Sequence, residues 1–277
     1  MNPFEEQKKK QERIDASMKS INCLIAVGSG KGGVGKSTVS ANLALSLAKE
    51  GYRVGLADAD VYGPSIPTLF NINKADVMVT EKDGQELMLP IEKFGIKLMS
   101  IGFMVDENAP LMWRGPMASN ALTQMLSETL WGELDFLILD MPPGTGDIQL
   151  TLIQSFHPHG SIFVCTPQQL AVADVRRAIN MFDNENIKVP VMGLVENMSY
   201  FTPSDMPDKK YYIFGQDGGK KLAQELNIDF LGEIPISQSV SECNDNGNPI
   251  AMLFDYTEAK AFMQLANKVV EKSKTIK

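Results

Sequence analysis

Short unbroken apolar runs alternate along this chain with longer stretches in which apolar side chains recur every three or four positions. The runs at 23–29, 53–58, 96–101, 136–140, 161–166, 189–196 and 230–233 predict strands. Runs such as Phe136-Leu137-Ile138-Leu139 carry no polar alternation, which suits strands buried on both faces. Helical spacing covers 36–50, 115–131, 148–155, 170–184, 218–226 and 256–272. Strands alternating with helices imply right-handed crossovers, hence an α/β fold with a mostly parallel sheet and helices on both faces. Residues 74–92 hold the weakest pattern and read as a hairpin or excursion. No repeat, low-complexity tract or linker divides the rest. The expected organisation is a polar leader over 1–21, solvated as a helix or frayed, followed by a single domain over 22–277.

In a parallel sheet of this kind ligands gather at the carboxyl ends of the strands. Directly after the first strand comes Gly28-Ser29-Gly30-Lys31-Gly32-Gly33-Val34-Gly35-Lys36-Ser37-Thr38. Gly30, Gly35, Lys36 and Ser37 are in register with the phosphate-binding P-loop, G-x-x-x-x-G-K-[ST]. Glycines let successive backbone N–H groups turn toward one anion, and the following helix adds its positive end. Lys36 is expected to reach the β- and γ-phosphates of a nucleotide, and the Ser37 hydroxyl to ligate Mg²⁺. Lys31 is not required by that motif; it reads as a solvated loop lysine or as a second cation over the phosphates.

Two more strand ends carry chemistry. Asp140 follows four apolar residues, the pattern in which a carboxylate supports Mg²⁺, and Pro142-Pro143-Gly144 follows as a stiff turn whose Gly144 N–H can sense a γ-phosphate. Asp58 and Asp60 stand two apart at the end of the second predicted strand and would share a face. Asp60 is the candidate for holding an attacking water and Asp58 for ordering the magnesium shell. Both could instead be turn-capping aspartates.

Composition narrows the partners. The 277 residues carry a formal net charge of −8, with 44% hydrophobic and 22% charged residues. That excess of negative charge argues against bulk attraction to nucleic acid or anionic membrane. The first twenty residues lack the apolar core of a signal peptide and no stretch is apolar enough to span a bilayer, so a cytoplasmic protein is expected. Cys23, Cys165 and Cys243 lie far apart, with no C-x-x-C, and reduced thiols are the expectation. His157 and His159 flank Pro158 and read as a surface turn rather than a metal site. An apolar stripe, Phe262, Leu265, Ala266, Val269 and Val270, runs beside lysines near the C-terminus; it reads as core packing or as a membrane-binding helix face.

Lys31 together with Lys36 resembles the deviant P-loop of the ParA/MinD/nitrogenase-iron-protein group. Asp58-Ala59-Asp60-Val61-Tyr62-Gly63-Pro64-Ser65, Trp113-Arg114-Gly115-Pro116-Met117, Asp140-Met141-Pro142-Pro143-Gly144-Thr145-Gly146-Asp147 and Glu196-Asn197-Met198-Ser199-Tyr200-Phe201 narrow this to the Mrp/ApbC family, ATPases that carry iron–sulfur clusters to apoproteins. The resemblance implies a homodimer with ATP and Mg²⁺ at its interface, serving apoprotein clients or cluster-assembly proteins. It implies that Lys31 reaches the partner's nucleotide, that Asp60 is the switch aspartate, and that Asn197 and Pro235 flank the adenine. It gives Arg114 a switch or dimer contact. It also implies a 4Fe–4S cluster shared through a C-x-x-C just after Tyr200-Phe201. Here those positions are Thr202-Pro203-Ser204-Asp205, so cluster ligation does not transfer residue by residue. Cys243 is the alternative thiolate.

Overall fold

The computed structural model describes residues 3–82, 84–104, 115–185, 187–253 and 256–276. In chain order its elements begin with helix α1 (Pro3–Met18), strand β1 (Leu24–Ser29), helix α2 (Lys36–Lys49), strand β2 (Val54–Asp58) and the short helix α3 (Ile66–Leu69). Strands β3 (Val79–Lys82), β4 (Gln85–Met88), β5 (Ile91–Lys93) and β6 (Ile96–Ser100) follow, then a 3₁₀ turn over Ile101–Met104. Next come α4 (Gly115–Ser127), β7 (Phe136–Asp140), α5 (Asp147–Phe156), β8 (Gly160–Cys165) and α6 (Gln169–Phe182). The last third holds β9 (Val191–Phe201), α7 (Gly218–Glu225), β10 (Phe230–Ile236), α8 (Gln238–Asp245), a 3₁₀ turn at Ile250–Met252, and α9 (Thr257–Ser273).

Eight strands form one sheet in the order β10-β9-β8-β1-β7-β2-β6-β5, parallel throughout except for β5, which runs antiparallel to β6. Alternating residues of each central strand enter opposite cores, which is why the predicted runs show no polar alternation. From β1, Ile25 and Val27 join the layer built with α2 and α9, while Leu24 and Ala26 join the layer built with α4, α5 and α6. Phe262, Leu265, Ala266 and Val269 of α9 are buried in the first layer against α2, so that stripe is core. No helix among the described residues is long and apolar enough to cross a membrane.

Residues 74–92 contain the antiparallel pair β3–β4, the hairpin expected there. The polar leader is more tightly held than its composition suggests. Helix α1 places Ile14 in the core at 2% exposure, and Gln11 Nε2 donates to the Ser155 carbonyl at 3.0 Å. One inward apolar side chain per few turns suffices to dock a helix whose remaining face is solvated.

The topology decides where chemistry can sit. β1 lies between β7 and β8, and the chain leaves β1 through α2 to reach β2 on the far side of β7. The carboxyl ends of β1, β7 and β2 therefore meet around one crevice.

Candidate functional site

The loop between β1 and α2 supplies the floor of that crevice. Gly33 and Gly35 both take φ of +79°, a left-handed conformation that glycine adopts without the Cβ penalty. A cleft of about 330 Å³ opens above them, lined by the loop from Lys31 to Thr38 and by Asp60, Gly63, Ser65 and Pro143. A larger groove of about 1020 Å³ lies elsewhere, between α1, the β3–β4 turn and the residues before β7. It mixes Lys9, Arg13 and Lys82 with Glu12, Glu86 and Glu128 and holds no glycine-rich anion-binding loop, so its size does not make it the site.

Behind Lys36, which lines the cleft, Asp140 is fully buried and bonded by three donors. Lys36 Nζ stands 2.8 Å from Asp140 Oδ2, which also accepts from Ser37 Oγ at 2.6 Å, while Oδ1 accepts from Ser40 Oγ at 2.6 Å. A charged carboxylate taken out of water needs this degree of compensation. Ser40 was absent from the sequence reading, although its place three residues after Ser37 puts it on the same face of α2. Lys36 Nζ also lies 3.9 Å from Asp60 Oδ2, so one ammonium faces the carboxylates that end β7 and follow β2. Asp60 is partly open to the cleft, and its carboxyl is pushed up by burial, then by Asp140, against the lowering influence of Lys36.

Asp58 is differently employed. Like Asp140 it is fully buried behind the cleft's lining, which among the described residues takes Asp60 alone of these three aspartates. Its Oδ1 accepts from the Asp60 N–H at 3.1 Å; its Oδ2 accepts from the Ile66 N–H at 3.1 Å and from Ser100 Oγ at 3.0 Å. The carboxylate thus clasps both ends of the loop that carries Asp60. Burial, then repulsion from Asp140, lifts its carboxyl to about 7. Folding raises this pKa from 3.8, so between those values the folded chain holds a proton that the unfolded chain has released. Stability is fullest below that window and falls as pH climbs through it, by up to about 1.4 kcal/mol per pH unit. Urea unfolding at pH 5, 6 and 7, without nucleotide or divalent metal, should show this decline, and Asp58→Asn should flatten it. An equally steep decline in the variant would assign the slope to other groups.

Three further residues expected at the nucleotide make the following contacts. The Gly144 N–H donates to the Ser29 carbonyl at 2.9 Å, with Gly144 at φ +93°. Asn197 is buried and its Nδ2 donates to the Val34 carbonyl at 2.8 Å, so the amide braces the glycine loop from behind. A Cβ at Gly35 would lie 2.2 Å from that nitrogen, which explains the glycine. Pro235 is buried within β10, away from the cleft lining among the described residues. Lys31 sits at the cleft rim, where Nζ reaches Gln168 Oε1 at 3.5 Å. Arg114 and Trp113 lie outside the described residues.

The sulfur chemistry is sparse. Cys23 and Cys165 are buried, and burial, with Glu196 nearby, pushes the Cys165 thiol well above its usual range. Cys243 is half-buried, its thiol also raised by burial and then by Glu242 and Glu258. No group of three or more His, Cys, Asp or Glu among the described residues is placed to hold a metal ion. His159 Nδ1 accepts from the Leu24 N–H at the amino end of β1, remote from the cleft. The segment at Thr202-Pro203-Ser204-Asp205 is flanked by a backbone bridge: Phe201 and Tyr211 exchange hydrogen bonds at 2.8 Å, and Lys210 Nζ lies 3.7 Å from the Tyr200 ring centroid.

A glycine-lined loop feeding a helix, a lysine and serine at its end and a buried strand-end aspartate define a P-loop NTPase on a mostly parallel sheet. A solved nucleotide-binding protein from Archaeoglobus fulgidus in complex with ADP superposes with a TM-score of 0.75 at 39% identity, covering 90% of this chain and 98% of its own. The MinD cell-division ATPase of Pyrococcus furiosus shares the fold at 18% identity, TM-score 0.64. The chain belongs to the ParA family of NUBPL iron-transfer P-loop NTPases, whose model matches residues 20–270. The iron–sulfur cluster carrier protein of Aquifex aeolicus is 52% identical over 257 residues, 91% of this chain and 69% of that protein. The carrier of the same name from Pyrococcus furiosus is 45% identical over 273 residues, 96% and 92% of the two chains.

Proposed function

We propose that this chain is a MgATP-hydrolysing carrier of iron–sulfur clusters, acting as a homodimer on apoprotein clients. The carrier names of its relatives and the iron-transfer description of its family support the cargo. The observation that carries the NTPase half is the convergence of Lys36, Ser37 and Asp140 within hydrogen-bonding distance at the mouth of the glycine loop. The donor set fits both groups. Lys36 and the N–H groups of residues 32–38 suit triphosphate oxygens, and the Ser37 hydroxyl with the Asp140 carboxylate offers the hard oxygens Mg²⁺ prefers. Bound Mg²⁺ would neutralise charge on the phosphates. Asp60, partly open to the cleft and upwardly shifted, would orient a water, and Lys31 at the rim would add a cation across the dimer.

The cluster is cargo, and this chain supplies few ligands for it. A 4Fe–4S cluster takes four thiolates. Only Cys243 approaches the surface, so two protomers would offer two. The remaining ligands would come from the proteins that donate or receive the cluster.

Phosphate release from MgATP by the purified chain, and transfer of an anaerobically assembled cluster to an apo 4Fe–4S acceptor, test the two halves. Asp60→Asn should keep the ATP dissociation constant within about threefold while turnover falls about 100-fold. Equal loss of binding and turnover would remove Asp60 from the chemistry. An acceptor loaded no faster than by free iron and sulfide would end the carrier reading.

A further inference from the structure

Ser100, the last residue of β6, is fully buried and lies opposite Asp58 in the parallel register of β2 and β6. Its Oγ accepts the Gly102 N–H at 3.0 Å and donates its own proton to Asp58 Oδ2, also at 3.0 Å. Asp58 in turn holds the N–H groups of Asp60 and Ile66, the two ends of the loop above the cleft. A second, independent contact comes from below that loop. A Cβ added to Gly102 would lie 3.0 Å from Pro64 Cβ and 3.2 Å from Pro67 Cγ, so the backbone after β6 is already against it. A hydrogen-bonded chain, Gly102 N–H to Ser100 to Asp58, and a packing contact, Gly102 on Pro64 and Pro67, thus fix the same few residues.

We propose that Ser100 is a positioning residue: through Asp58 it sets where Asp60 stands over the cleft, and the turn Ile101–Met104 registers any movement of that loop. The catalytic consequence rests on the role given to Asp60 above; the mechanical link stands without it. A hydroxyl bonded to a carboxylate in a dry interior is a strong restraint, because its loss leaves both the carboxylate and the Gly102 N–H short of a partner. The loop, rather than the glycine floor, depends on it. Its removal should leave nucleotide affinity nearly intact while disordering the position of Asp60.

Amide hydrogen exchange on the full chain reads the link directly. Ser100→Ala should speed exchange of peptides spanning 59–66 about tenfold, with those spanning 30–38 unchanged. Gly102→Ala, which pushes the loop from beneath and keeps the hydroxyl, should do the same. In MgATP turnover, Ser100→Ala should lower kcat about tenfold while the calorimetric dissociation constant for MgATP stays within twofold. Unchanged exchange at 59–66 in both variants would overturn the proposal, as would a global rise in exchange across all peptides. A wild-type chain that binds but does not turn over MgATP would refute the hydrolytic reading instead, with exchange still deciding this one.

Discussion

Lys36→Ala should weaken MgATP binding by about 100-fold or more, corresponding to about 3 kcal/mol, and remove measurable turnover. The lysine is only 6% exposed and stands between Asp140 at 2.8 Å and Asp60 at 3.9 Å, with the buried Asp58 close behind. Two consequences follow from truncating it. Triphosphate oxygens lose the one ammonium held at the inner wall of the cleft. Asp140 also keeps its hydroxyl donors, Ser37 and Ser40, yet loses its counter-charge, and breaking a buried ion pair by removing one partner typically costs about 3–5 kcal/mol. Calorimetry and thermal unfolding separate these effects. A folded variant that still binds MgATP as tightly as the wild type would remove the lysine from the phosphate site.

Gly30→Ala should be nearly as damaging for a purely steric reason. A Cβ on Gly30 would lie 2.1 Å from the carbonyl carbon of Asp174 and 2.2 Å from the Val175 nitrogen, inside the backbone of α6. Backbone cannot swing aside as a flexible side chain can, so α6 or the glycine loop must shift. Overpacking of this kind costs about 3 kcal/mol, a fall of roughly 10 °C in Tm for a domain this size. Where the glycine loop is what shifts, nucleotide affinity should drop with stability. A variant with an unchanged melting temperature would show that the close approach of loop and helix is not a feature of the protein in solution.

The central strands were legible because burial on both faces leaves a signature that needs no neighbour to read. The glycine loop, Lys36, Ser37 and Asp140 were legible because their chemistry is encoded in fixed spacing along one segment. Residues that act through register between strands were not. Ser100 matters only because β6 lies beside β2, and a serine closing an apolar run does not announce what it faces. Asn197 offered a polar group at a strand end, but not that its amide would be spent on the Val34 carbonyl. β9 continues to Phe201, past the predicted end at 196, because Asn197 and Ser199 are buried with hydrogen-bond partners of their own. α8 escaped because none of its residues is buried, so it has no apolar stripe to find. β5 is three residues long and antiparallel, below what periodicity can resolve.

The two margins of the sheet have a bearing on how this protein meets others. At one side the outermost strand, β5, offers three residues to a foreign chain. At the other, β10 is interrupted by Pro235, which has no N–H to donate, and its pairing slips between Ile234 and Ile236. Neither border is a good template for an added strand. Recruitment of a second copy or a client by lengthening the sheet is therefore disfavoured. A second copy or a client, if docked, would then meet side chains on the helices and on the loops crowning the strands.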